Sequence, residues 1–360
     1  MTGDTSDPEG LSVQRGPASV PDLNPRLHRL VVPRQPVREL YDALSGGDRG
    51  ALGRAITLVE SRLSGDWDDA LALLDLCVES GRESVRIGIS GAPGVGKSTF
   101  VDAFGLKLTR AGHRVAVLAI DPSSDRTGGS ILGDKTRMAR LFAEPGAFIR
   151  PSPSAGALGG VGRRTHAAIT LCEAAGYDHI LVETVGVGQS EISARHMVDT
   201  FLLLAQAGSG DELQGIKRGI VEVADVIAVT KADGTLAQMA LTARSALRSA
   251  LTLWPPDETG WRAPVLTCSV VTGDGMTEVA AAIASHRDHL LQTGYHTEKR
   301  GRQAVSWMRD EVTDAILDRL SARPDWVVLA DDLETQVRDG RLHPFRAAAM
   351  MLDTVAGPAR

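Results

Sequence analysis

The segment GAPGVGKST, from Gly91 to Thr99, constrains this chain more than any other stretch. It fits the pattern G-x-x-x-x-G-K-[ST], with Gly91, Gly96, Lys97 and Ser98 at the required places. A short apolar run, Val85 to Ser90, precedes it, and a helical pattern from Lys97 to Thr109 follows. A strand, a glycine-rich turn and a helix in that order form a phosphate cradle of Gly91, Ala92, Pro93, Gly94, Val95, Gly96, Lys97, Ser98 and Thr99. Its backbone N–H groups turn inward, Lys97 reaches the β- and γ-phosphates, and the Ser98 hydroxyl ligates magnesium. An ordinary glycine-rich turn is the competing reading, and the flanking strand and helix argue against it.

The apolar pattern around this motif predicts an α/β fold. Further strands are expected at Arg114 to Ile120, Ala147 to Arg150, His179 to Glu183, Thr200 to Gln206, Val226 to Thr230 and Val265 to Ser269. Helices are expected between them at Asp134 to Phe142, Arg163 to Ala175 and Leu236 to Leu253. Short apolar strands alternating with helices imply a mostly parallel P-loop NTPase sheet covered by helices on both faces.

Helical extensions flank that sheet. Residues 1–36 hold six of the seventeen prolines and read as a flexible arm. Residues 37–82 carry apolar residues at helical spacing (Leu40, Leu44, Leu52, Ile56, Val59, Leu71, Leu74, Val78) and form two or three helices. The nucleotide domain spans 83–294, and 295–360 form a C-terminal helical extension. Its helices are expected at Glu298 to Ser321, Asp331 to Asp339 and His343 to Thr354, after one at Met276 to Leu291. Trp307, Val312, Ile316 and Leu320 mark an apolar stripe, which either packs on the same domain or meets a second subunit.

Two acids end strands on the P-loop side: Asp121 in AIDPSSDRTGGSILGDKTRM and Glu183 in ILVETVGVGQSE. Ligands of parallel sheets sit beyond the carboxyl ends of the strands, so both acids approach the phosphate site. Magnesium takes one or two carboxylates beside phosphate oxygens. Lys97, Asp121 and Glu183 are therefore the expected catalytic set, and Ser98, Asp121, Asp134 and Glu183 the metal set. Asp134 reads equally as a helix N-cap. Gly186 and Gly188, after Glu183, have the form of a switch that senses the γ-phosphate.

TKAD, Thr230 to Asp233, follows an apolar strand and is similar to the guanine-reading NKxD motif. Its aspartate accepts from the base N1 and N2 donors, a contact that leaves adenine mismatched. Lys231 lays its stem along the base, and Ser269 and Val270 supply backbone near guanine O6. Thr230 replaces the usual Asn, and its shorter hydroxyl is expected to weaken the brace to the P-loop. The ligands are thus GTP and GDP with Mg2+, and the expected enzyme is a GTP hydrolase.

Composition removes other classes. A net charge of −6 gives no basic surplus for nucleic acid or anionic membrane, and no apolar run is long enough to span a bilayer. The N-terminus lacks a secretory pattern, and Cys77, Cys172 and Cys268 stand far apart without a CxxC pair, which together point to a cytoplasmic protein with buried thiols. His166, His179, His196, His286, His289 and His296 are scattered, and His286 and His289 are expected at the surface.

GAPGVGKST, TGGSILGDKTRM, RPSPSAGALGGVGRRT, ETVGVGQSE and QAGSGDELQGIKRGI together resemble the MeaB/ArgK family of P-loop GTPases from about Val37 onward. The resemblance implies a homodimeric chaperone of adenosylcobalamin-dependent methylmalonyl-CoA mutase, in which GTP hydrolysis gates cofactor loading and protects the enzyme. It also places Lys217 in a further switch loop, whereas the residues alone read Lys217 and Arg218 as a solvated helix start. Alternatives are a kinase or ATPase tied to lysine/arginine/ornithine transport, and a metal-insertion GTPase, which needs a His or Cys cluster at the site. No Gln follows the switch glycines directly, Gln189 coming later. Arg126, Arg137 and Arg163 are loop arginines without an assigned role, so a slow, partner-activated rate is expected.

Overall fold

The computed structural model describes residues 35–61, 63–120, 137–152, 160–184, 194–206 and 218–356. The chain divides into Met1–Pro36 and Val37–Arg360, and the second unit carries the architecture described below.

Among the described residues, three helices come first: α1 (Val37–Ser45), α2 (Arg49–Glu60) and α3 (Ser64–Glu79). Asp48 starts α2 because its carboxylate accepts from the Gly50 and Ala51 N–H groups at 2.7 and 3.2 Å, satisfying donors that lack helical partners. On α3 the buried face differs from the expected one. Ala70, Leu73 and Cys77 are buried, whereas Leu71 and Val78 are exposed. Two apolar stripes run side by side on this helix, and the neighbours α2 and α6 (Gly160–Ala174) select the one that faces them.

Among the described residues the sheet has seven strands: β1 (Val85–Gly91), β2 (Val115–Ile120), β3 (Ala147–Ser152), β4 (His179–Thr184), β5 (Thr200–Gln206), β6 (Val226–Thr230) and β7 (Val265–Thr267). All pair in parallel, in the order β3-β2-β4-β1-β5-β6-β7. β1 is buried along its whole length, as a central parallel strand must be when helices cover both faces. One core joins the N-terminal helices and α6 to one face, with Leu44, Leu52, Ile56 and Phe201 at its centre. The other lies under α4 (Lys97–Arg110), the short α5 (Ala139–Phe142) and α9 (Met276–Gln292), around Phe100, Phe104 and Ile89. Of the helix expected from Asp134, only its last turn lies among the described residues.

Between these, α7 (Arg218–Glu222) precedes β6, and α8 (Ala237–Leu251) follows it after a 3-10 turn at Gly234–Leu236. Three helices close the chain: α10 (Tyr295–Ser321, 27 residues), α11 (Pro324–Arg338) and α12 (Pro344–Ala356). Helix α11 begins seven residues before its expected start, because Pro324 at its first turn fixes a helical φ and lacks only an N–H that needs no partner there.

Helix α10 is fastened to the amino ends of the strands by buried charge. Arg300 donates to both oxygens of Asp199, at 2.9 Å each, and to the Ser84 carbonyl at 2.6 Å. The Arg86 N–H donates to Asp199 as well, and the Arg86 guanidinium forms a paired contact with Glu173 at 2.8 and 2.9 Å. Burial alone would raise the Asp199 pKa, but contacts from His296 and Arg300 and the Arg86 N–H hold it well below the usual carboxylate range. Nearby, His286 is not at the surface as expected. It is 1% exposed, shares a 2.8 Å hydrogen bond with Thr200 Oγ1, and faces Trp261 and Asp225. His289, on the same face, bonds to Thr259. The charged neighbours Arg287 and Asp288 disguise this inward face in the sequence.

The apolar stripe of α10 splits. Trp307 turns inward, stacking on His166 at 4.0 Å between ring centroids and donating to the His196 carbonyl, and Leu320 is buried. Val312 and Ile316 remain 52% and 50% exposed.

Candidate functional site

The glycine-rich turn follows β1 at the carboxyl edge of the sheet. Gly91 is required there by close approach: a Cβ on it would lie 2.4 Å from the Leu204 carbonyl oxygen on β5. Lys97 opens α4 and is buried, its ammonium donating to the Gly91 and Ala92 carbonyls at 2.7 and 3.1 Å. The lysine therefore lies folded along the cradle, its ammonium on carbonyl oxygens of the turn itself.

Parallel pairing brings an acid to this turn. Glu183 is level with Ile89 on β1, two residues before Gly91. The Ser98 hydroxyl donates to Glu183 Oε1 at 2.8 Å, and Thr184 donates to Ser90 at 3.0 Å. A serine hydroxyl beside a buried carboxylate, at the mouth of a phosphate cradle, is an oxygen-only donor set of the kind Mg2+ takes. These residues fit the ion. Asp121, Asp134, Gly186, Gly188, Gln189, Arg126 and Lys217 lie outside the described residues, as does the Arg163 side chain. Arg137 is exposed.

The segment after β6 forms a second cluster. Thr230 is buried, and its hydroxyl lies 2.9 Å from the Val95 carbonyl and 3.2 Å from that of Ala205. The shorter hydroxyl still makes the brace to the P-loop. β6 sits close enough to the P-loop for a hydroxyl to reach the Val95 carbonyl without the longer Asn side chain. Lys231, at φ +57°, donates to the Gly94 carbonyl at 2.8 Å and to Gln206 at 3.1 Å. Gln206, whose position gives no motif signal in the sequence, lies beside Thr230 in the β5–β6 register.

Asp233 is fixed from the β7 side. Ser269 donates to its carboxylate at 2.6 Å and accepts from the Val271 and Thr272 N–H groups. Gly275 closes this loop: a Cβ there would meet the Thr267 carbonyl oxygen at 1.9 Å, at φ +73°. Behind it, burial pushes the Cys268 thiol up to about 12, which leaves it neutral and unreactive. One edge of the sheet thus joins a phosphate cradle, a serine–carboxylate pair and an anchored aspartate that can read a base.

A family model described as Methylmalonyl Co-A mutase-associated GTPase MeaB matches residues 52–325, which include every residue of this edge. The chain belongs to the MeaB family. It is a P-loop GTPase. A MeaB-family relative from Mycobacterium tuberculosis, named probable GTPase Rv1496, is 51% identical over 314 residues, covering 87% of this chain and 94% of the relative. The mouse protein named methylmalonic aciduria type A homolog, mitochondrial, is 44% identical over 326 residues, covering 88% of this chain and 79% of that one. A crystal structure titled LAO/AO transport system kinase has a TM-score of 0.67 at 36% identity, covering 89% of this chain and 97% of the other. Among the described residues of this MeaB-family chain, no helix is long and apolar enough to cross a membrane.

Proposed function

We propose that this GTPase is a nucleotide-gated chaperone of an adenosylcobalamin-dependent methylmalonyl-CoA mutase, controlling cofactor loading and protecting the loaded enzyme. The observation that carries the reading is the family match across 52–325, named for association with that mutase, over a site whose cradle and base loop are tied together. The name of the mouse relative points the same way.

In this reading the turn from Gly91 to Thr99 binds the phosphates through backbone N–H groups. The Lys97 ammonium exchanges the Gly91 and Ala92 carbonyls for phosphate oxygens. Ser98 and Glu183, joined by Asp121 and Asp134, hold Mg2+, which neutralises charge on the phosphate oxygens when bound. Asp233, pre-aimed by Ser269, accepts from the guanine donors, while Lys231 and the Ser269–Val270 backbone flank the base. Because Thr230 ties β6 to Val95, base and phosphate contacts are held in one rigid frame. Gly186, Gly188 and Lys217 carry the nucleotide state to the mutase.

Asp233 favours this reading over a transport kinase using ATP. The exposed α10 residues Val305, Met308, Val312 and Ile316 offer an apolar face for a second copy, and the homodimer belongs to the same proposal. GTP turnover with and without purified methylmalonyl-CoA mutase tests the central step. Acceleration of at least ~10-fold is expected, and no change with any cobalamin enzyme would refute it. Ile316→Asp should convert the dimer to monomer by light scattering.

A further inference from the structure

At the amino end of the sheet, ~20 Å of strand away from the P-loop, three side chains meet that the GTPase site does not use. His113 follows α4, and Asp178 and His179 open β4. His113 Nδ1 lies 3.1 Å from Asp178 Oδ2, and His179 Nδ1 lies 2.9 Å from Asp178 Oδ1. The two imidazoles are 4.4 Å apart between centroids and tilted by 59°. One donor atom from each of the three residues lies within 4.8 Å of the others.

We propose that His113, Asp178 and His179 form a binding site for a borderline 3d dication, Zn2+ or its analogues Co2+ and Ni2+. Two imidazoles and one carboxylate suit these ions, whereas Mg2+ and Ca2+ take all-oxygen sets. A tetrahedral ion with bonds of about 2.0–2.1 Å needs donors roughly 3.3 Å apart, which small side-chain rotations achieve here. The backbone already holds the three residues together. The Asp178 and His179 N–H groups both donate to the Arg114 carbonyl at 3.1 Å. The Arg114 N–H in turn donates to Asp178 Oδ1 at 3.1 Å, orienting the carboxylate as outer-shell bonds orient metal ligands. The side chains of His113 and Asp178 are 42% and 49% exposed, so an ion can enter from solvent and keep water as its remaining ligand. His179 is more sheltered, at 15%, and gives the site a fixed floor.

The sequence conceals this cluster because His113 lies 65 residues from Asp178. The β2–β4 pairing, with Val115 level with His179, closes the gap.

The test uses the full chain, stripped with chelator and then held in saturating GDP and Mg2+ so that the P-loop acid is occupied. Co2+ is titrated in while visible absorption is followed, and Zn2+ binding is measured by calorimetry. One ion per chain with a dissociation constant of tens of micromolar or tighter is expected. His179→Ala and Asp178→Asn should each weaken binding at least ~10-fold while leaving GDP affinity unchanged, which shows that the variants are folded. Absence of saturable binding below millimolar metal would overturn the proposal. So would binding that His179→Ala leaves within twofold.

Discussion

The two ends of the sheet treat charge differently. At the carboxyl end, Lys97 rests on backbone carbonyls of its own loop and Ser98 donates to Glu183. These contacts can be traded for phosphate oxygens and an ion. At the amino end, Asp199 is enclosed by Arg300 and the Arg86 N–H, and Arg86 by Glu173. Those groups satisfy one another and have no ligand to exchange. The same residue types thus serve binding around Lys97 and cohesion around Asp199. Substitutions should divide accordingly, into losses of activity and losses of stability.

Lys97→Ala should show the largest effect. Removing the cation proposed to meet the phosphates should cut single-turnover GTP hydrolysis by at least ~10³-fold, about 4 kcal/mol of barrier. The melting temperature should move only a few degrees. A strongly destabilised variant that still turned over would break the contrast between the ends.

Asp199→Ala should do the reverse. It leaves Arg300 and the Arg86 N–H without their shared acceptor, and unfolding in urea should be easier by about 3 kcal/mol. GDP affinity of the folded fraction should change less than ~3-fold. The pH dependence sharpens this point. Because the Asp199 pKa is depressed in the folded state, its contribution is full above the unfolded value of about 3.9 and declines as pH falls below it. Asp199→Asn should remove that acid-side loss in urea melts taken between pH 5 and pH 3.

His166 gives a smaller effect at milder pH. Burial, followed by the nearby Arg86 charge, lowers its pKa to about 3. Below pH ~6.5 the unfolded chain takes up a proton that the folded chain refuses, so stability falls as pH falls. Between pH 7.5 and 5.5 the wild type should lose about 1 kcal/mol more than His166→Asn. An equal slope would contradict the half-buried, neutral imidazole stacked on Trp307.

Thr230→Val should be the mildest. Losing the bond to the Val95 carbonyl costs about 1 kcal/mol, read as roughly fivefold weaker GDP binding with little change in melting.

The carboxyl end was far more legible in the sequence than the amino end. Lys97, Ser98, Thr230 and Asp233 lie in short runs whose spacing is dictated by the local backbone, so composition and order reveal them. Glu183 was readable because strand ends in a parallel sheet converge on one edge. Asp199 and Arg300 gave no signal. They stand 101 residues apart, each among ordinary surface-type neighbours, and only folding makes them partners. His286 is obscured for the same reason, since the charged neighbours Arg287 and Asp288 hide an inward face. On α3, two apolar stripes were equally visible, and tertiary packing selected one.

Asp233, held by Ser269, is the residue proposed to select guanine. The direct measurement is calorimetry of GDP, ADP and XDP on the wild type and Asp233→Asn. The wild type should prefer GDP over ADP by at least ~100-fold. The variant should lose most of that GDP affinity and gain XDP, whose base carries a carbonyl where guanine has its amino group. Equal binding of GDP and ADP by the wild type, or undiminished GDP binding by Asp233→Asn, would contradict the account.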